Sequence, residues 1–84
     1  MGKAAGKLSK SVHSADQAAF CAAMIAARKK VGLTQRDLAA KLRKPQSFIA
    51  KYEGGERRVD VIEFIAICRA IGIDPVKLIR TLTA

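Results

Sequence analysis

Between residues 32 and 53 the chain reads GLTQRDLAAKLRKPQSFIAKYE, and the interruption of its apolar rhythm constrains the fold more than any other feature. Leu33, Leu38 and Leu42 recur at helical spacing, Arg43-Lys44-Pro45 interrupts, and Ile49 and Tyr52 then resume the period. Proline cannot continue the first run, because it lacks a backbone N–H, but it suits the opening of a second. The pattern is helix, tight turn, helix.

Local start and stop signals divide the rest of the chain. Ser14 can cap a first helix running to about Val31, with Phe20, Met24, Ala27 and Val31 as its inward stripe and Gly32 closing it. Thr34 caps the second helix, which turns Leu38, Ala39 and Leu42 inward. Pro45 opens the third, and Gly54-Gly55 stops it after Glu53. Asp60 followed by Glu63 resembles a capping box for a fourth helix from Val61 to Ile71, closed by Gly72. Asp74-Pro75 repeats the start signal for a fifth helix reaching about Leu82. No segment reads as a strand. The expected architecture is all-α with five short helices, the central pair at about residues 34–42 and 45–53.

Eighty-four residues leave little room for a second core. The organisation expected is one domain, residues 14–84, behind a basic arm, residues 1–13. That arm holds three lysines and no acid, too little apolar surface to offset its ordering entropy. A solubilising tail is preferred for it over an arm that touches phosphate.

The net charge of +9 points to nucleic acid or an anionic membrane surface as partner. No apolar run approaches the roughly 20 residues needed to cross a bilayer, and no secretory signal opens the chain, so the expected address is the cytoplasm. Cys21 and Cys68 lie far apart inside helical patterns, without a CxxC pair, and are read as small buried hydrophobes. With His13 the only histidine, no metal site is expected, nor any cofactor. No nucleophile–base set, paired carboxylates or phosphate-cradling glycine loop is present, which argues against an enzyme.

A helix-turn-helix with a basic exposed face is how a protein places one helix in the major groove of DNA. On the third helix Ile49 and Tyr52 face inward, which leaves Gln46, Ser47, Ala50 and Lys51 outward. Glutamine can pair bidentately with adenine, lysine can donate to guanine, and Ala50 can lie against a thymine methyl. These four are the candidate base-contacting residues, with phosphate as the other target for Lys51. Gln35, in the first turn of the second helix, is a candidate phosphate contact together with Thr34, whose main role is capping. Arg43 and Lys44 in the turn and Arg57 and Arg58 after the third helix are further phosphate candidates. Residues 28–58 hold ten basic residues against three acids, so charge concentrates at the motif. Lys29, Lys30, Arg36 and Lys41 read as solvated surface, and Phe48 as packing.

From residue 20 to residue 79 the chain resembles the lambda repressor/Cro-like, or XRE, helix-turn-helix family. The matching residues are Arg28, Gly32-Leu33-Thr34-Gln35, Leu38-Ala39, Gln46, Ile49, Tyr52-Glu53, Gly55 and Ile71-Gly72. The resemblance implies a five-helix bundle that binds double-stranded operator DNA as a dimer. It implies that Gln35 holds a phosphate and braces the first residue of the reading helix. It also implies that Arg28 and Glu53 form a partly buried ion pair rather than serving DNA. Two positions depart from the family pattern. Arg43 stands where the turn often has glycine, and Pro45 replaces the usual serine or threonine cap.

The fourth helix, VIEFIAICRAI, is apolar nearly all round. Val61, Phe64, Cys68 and Ile71 form the expected core stripe. Ile62, Ile65 and Ala66, with Ile79 and Leu82 of the fifth helix, are left for a homodimer interface. The function expected is a sequence-specific transcriptional regulator, a dimeric repressor of a palindromic operator. The alternative is an antitoxin that binds both DNA and a toxin protein, and a lipid-binding module ranks far lower.

Overall fold

The five helices begin and end where local chemistry allows. A computed structural model describes residues 14–84, and the arm expected over 1–13 lies outside the described residues. The helices are α1 (Ala15–Lys30), α2 (Gln35–Leu42), α3 (Gln46–Glu53), α4 (Val61–Ile71) and α5 (Pro75–Thr83).

Four starts carry a side-chain cap. Ser14 accepts from the Gln17 N–H, and Asp74 accepts from the Val76 N–H. Thr34 and Asp60 each form a full capping box, with Asp37 and Glu63 returning the bond to the cap residue. These bonds satisfy N–H groups that a helix start otherwise leaves orphaned, each worth about 1 kcal/mol. α3 begins at Pro45 with no side-chain cap.

α1, α2 and α3 close with a residue in the left-handed region, followed by bonds that reach back into the last turn. At α1 and α3 that residue is Gly32 or Gly55, and Gly72 closes α4 in the same conformation. At α2 it is Arg43, at φ 55° and ψ 42°, with its N–H bonded to Ala40 and the Lys44 N–H bonded to Ala39. Arg43 is the one non-glycine residue with positive φ among those described.

α2 and α3 pack on each other, α1 lies against α3, and α4 backs α2. α5 closes the bundle against α4 and α1. The core is Met24, Leu38, Ala39, Ile49, Tyr52, Phe64, Ile67, Cys68 and Ile71. Each large apolar side chain buried there stabilises the fold by about 1.5–3 kcal/mol. Cys21 and Cys68 are both buried free thiols, as read from their placement. Burial pushes the Cys68 thiol up to about 11, which keeps it neutral and unreactive. The Cys21 thiol donates to the Tyr52 carbonyl at 3.1 Å, fastening α1 to the end of α3.

Two stripe assignments change. Val31 was expected inside, but it is 46% exposed because α1 ends at Lys30 and Val31 is already its C-cap. Val61 was expected in the core and is 70% exposed, whereas Ile67 is 1% exposed. The buried face of α4 is thus Phe64, Ile67, Cys68 and Ile71, the face that meets α2. No described helix is long and apolar enough to cross a membrane.

Candidate nucleic-acid interface

The packing of α3 decides which of its residues face out. Ile49 and Tyr52 are fully buried, and Glu53 is buried with them. Gln46, Ser47, Ala50 and Lys51 are all exposed, on the side away from the core. An eight-residue helix anchored on one face therefore presents a short polar strip with glutamine and serine in its first turn. The N-terminal part of a recognition helix is the part that approaches base edges.

A chain of side-chain bonds runs from the core to that strip. Arg28 donates from Nε to Glu53 Oε2 at 2.8 Å and from Nη2 to Oε1 at 3.0 Å. The planar guanidinium and the carboxylate meet as a fork, with side chains only 9% and 3% exposed. Hydrogen bonding to Glu53 raises the Arg28 pKa further, so the guanidinium stays charged. Nη1 of Arg28 donates to the Leu33 carbonyl at 2.8 Å, fixing the α1–α2 loop. Glu53 Oε1 also accepts from Gln35 Nε2 at 3.0 Å. Gln35 Oε1 in turn accepts from Gln46 Nε2 at 3.4 Å, a long bond at the solvent boundary. Arg28, Gln35 and Gln46 line one open hollow with Leu33, Thr34 and Arg36. The start of α2 faces this hollow, with the partial positive charge of a helix N-terminus.

Thr34 is committed to capping. Its hydroxyl accepts from the Asp37 N–H at 3.0 Å, and its own N–H donates to Asp37 Oδ2 at 3.0 Å. Those bonds, the backbone one first, hold the Asp37 carboxyl below its ordinary range.

Phe48 lies half-buried, packed edge-on against Tyr52 with ring centroids 5.5 Å apart. Two cations cover it. Lys44 Nζ is 5.5 Å from the ring centroid and Arg57 Cζ is 4.7 Å from it. Arg57 also forms a fork with Glu63, Nη1 to Oε1 at 3.0 Å and Nη2 to Oε2 at 2.8 Å. The structure thus brings Gln35, Gln46, Lys44 and Arg57 around the first turn of α3. Arg43 stands exposed at the turn, and the Arg58 carbonyl accepts from Arg57 at 2.8 Å.

Sequence reasoning missed the Asp37 half of the capping box, although its spacing from Thr34 is the same as that of Glu63 from Asp60. It also missed the Arg57–Glu63 pair, which crosses a loop and leaves no periodic signal. Among the described residues no group of His, Cys, Asp or Glu is placed to hold a metal ion.

The exposed apolar residues gather elsewhere, on α4 and α5. Ile62 is 75% exposed and Val76 56%. Val61, Phe64, Ile65, Pro75, Val76 and Ile79 line a wholly apolar groove there. Of the expected interface residues, Ile62, Ala66 and Ile79 are exposed, and Ile65 and Leu82 are half-buried.

Comparison with known proteins agrees with this geometry. The helix-turn-helix family model matches residues 24–78. The chain is similar to an XRE-family like protein from Pseudomonas syringae pv. tomato, at 47% identity over 86% of this chain and 88% of that one, with a TM-score of 0.80. It is also similar to the restriction-modification controller protein C.AhdI from Aeromonas hydrophila, at 28% identity over 77% of this chain and 98% of that one, with a TM-score of 0.72. A point mutant of the controller protein C.Esp1396I shares the fold, at 23% identity over 83% of this chain and 89% of that one, with a TM-score of 0.76. No curated protein sequence matches the chain. The chain belongs to the XRE-type helix-turn-helix family of DNA-binding transcription regulators.

Proposed function

We propose that the chain is a dimeric repressor that reads a palindromic operator with α3. The observation that carries this reading is the exposed strip of Gln46, Ser47, Ala50 and Lys51 on a helix whose opposite face is locked into the core. Gln46 and Ser47 read base edges, Ala50 meets a thymine methyl, and Lys51 takes a guanine or a phosphate. Thr34, Gln35, Arg43, Lys44 and Arg58 surround the strip as the phosphate-facing set, while Arg57, expected among them from the sequence, is paired with Glu63. Arg28 and Glu53 stand behind it as the structural pair that positions Gln35.

The dimer reading rests on the apolar groove of α4 and α5. Ile62, Ile65, Ala66, Ile79 and Leu82 meet their symmetry mates across a two-fold axis, in the proposed arrangement with Val61 and Val76 beside them. Such an axis sets two α3 helices about 34 Å apart, one turn of DNA.

Selection of bound duplexes from a randomised pool at about 150 mM salt, where phosphate-only binding is weak, tests the reading. The expected result is a palindromic site with half-sites one turn apart, altered at one position of each half-site by Gln46→Ala. Enrichment of no sequence overturns base reading by α3.

A further inference from the structure

Arg57, in the loop leaving α3, is held from three sides. Glu63 takes both terminal nitrogens, at 3.0 and 2.8 Å, and the Arg58 carbonyl takes a further bond from Nη1 at 2.8 Å. The guanidinium also stacks 4.7 Å from the centroid of Phe48, a residue of the same helical turn as Gln46 and Ser47. It therefore lies one side chain away from the end of α3 that faces the groove, with its side chain 40% exposed. A guanidinium at such a place is suited to a phosphate, whose paired oxygens match its fork as a carboxylate does.

Glu63 is itself anchored. Its Oε1 accepts from the Asp60 N–H at 3.0 Å, and its own N–H donates to Asp60 Oδ1 at 2.7 Å. The carboxylate is thus part of the start of α4 and cannot swing out with Arg57. A phosphate approaching this edge meets a cation whose Nη1/Nη2 fork is already taken and whose charge a fixed carboxylate already balances.

We propose that Glu63 is a specificity-determining residue of the DNA interface, occupying the Arg57 guanidinium and withholding one sequence-blind phosphate contact beside the base-reading turn of α3. Phosphate contacts raise affinity for every sequence alike, whereas base contacts discriminate. On a chain of net charge +9, a carboxylate that silences one cation at this edge lowers non-specific binding without touching base reading. The inference rests on α3 being the base-reading helix.

The test is the salt dependence of binding to a fluorescently labelled duplex of randomised sequence, followed by anisotropy with the full chain. Wild type, Glu63→Gln, Arg57→Gln and the double variant are compared, each checked for folding by its thermal melt. Glutamine keeps an acceptor for the Asp60 N–H, so the start of α4 is retained. Glu63→Gln is expected to steepen the log–log salt slope by about 0.9 and to bind roughly 5–10-fold more tightly near 0.1 M salt. Adding Arg57→Gln returns both to wild-type values, and Arg57→Gln alone leaves the slope unchanged. A slope shallower by about 0.9 for Arg57→Gln alone overturns the proposal, because Arg57 then already contacts phosphate. An unchanged slope and affinity for folded Glu63→Gln overturns it as well. Should Glu63→Gln fail to fold, Arg57→Gln alone still decides, an unchanged slope supporting the proposal. Wild type that binds no duplex even at the lowest salt overturns the DNA reading and this inference with it, an outcome separate from variants that bind with unaltered slopes.

Discussion

Glu53 Oε1 accepts two hydrogen bonds of equal length, 3.0 Å from Arg28 Nη2 and 3.0 Å from Gln35 Nε2. One oxygen therefore joins the core ion pair to the residue that leans toward Gln46. Stability and the base reading proposed for Gln46 meet at this atom, and they separate by mutation.

Arg28→Met leaves a buried carboxylate without its cation. The expected loss is about 3–5 kcal/mol, read by urea denaturation. Arg28→Met with Glu53→Leu removes both charges and recovers most of that loss. A single variant that loses less than about 1 kcal/mol shows that water reaches Glu53 and that the pair is not effectively buried.

Gln35→Ala keeps the Arg28–Glu53 fork and deletes only the brace toward Gln46. Stability falls by about 1.5–3 kcal/mol, one hydrogen bond to a charged group. If Gln46 reads a base as proposed, discrimination at that position drops by about 1–3 kcal/mol when matched and mismatched duplexes are titrated. Uniform weakening on all duplexes assigns Gln35 to phosphate alone.

Arg43 sits at φ 55° where the equivalent closures of the other helices use glycine. Arg43→Gly relieves a left-handed penalty of about 1 kcal/mol, partly offset by greater freedom of the unfolded chain. The melting temperature is expected to rise by a few degrees while the salt slope of DNA binding becomes shallower by about 0.9. A rise in stability with no change of slope removes Arg43 from the phosphate set.

Hydrogen bonds from Arg57, and then from Asp60, hold the Glu63 carboxyl at about 2, below its ordinary 4.5. A carboxyl depressed on folding contributes stability above its unfolded value, and that contribution is lost as pH falls from about 4.5 toward 2. Because the pair lies at the solvent boundary, screening limits the effect to about 1 kcal/mol. Denaturation of wild type and Glu63→Gln across this range should give curves that differ at neutral pH and converge at the acid end. Parallel curves assign the acid loss to other carboxylates.

Ile62 touches little of its own chain, being 75% exposed. Ile62→Glu is expected to leave monomer stability within about 0.5 kcal/mol and to shift sedimentation from dimer to monomer. Wild type that sediments as a monomer at all concentrations overturns the two-fold arrangement.

Helix ends were legible because caps act within three or four residues. Ser14, Thr34, Asp60 and Asp74 all cap as read, and α4 runs from Val61 to Ile71 as expected. Faces were less legible where a helix is apolar all round. α4 offers almost no polar residue to mark its outer side, so periodicity alone could not choose between Val61 and Ile67. Packing into the shared core chose Ile67.

The sequence by itself determined the helix count, their bounds, the break at Arg43-Lys44-Pro45 and the outward strip of α3, since capping, proline geometry and helical period are short-range. Only the tertiary structure decided that Gln35 is tied to Glu53 and that Arg57 is claimed by Glu63 and Phe48. Those partners come together only when α2, α3 and α4 pack, and one cation among many carries no local mark of which neighbour it will meet.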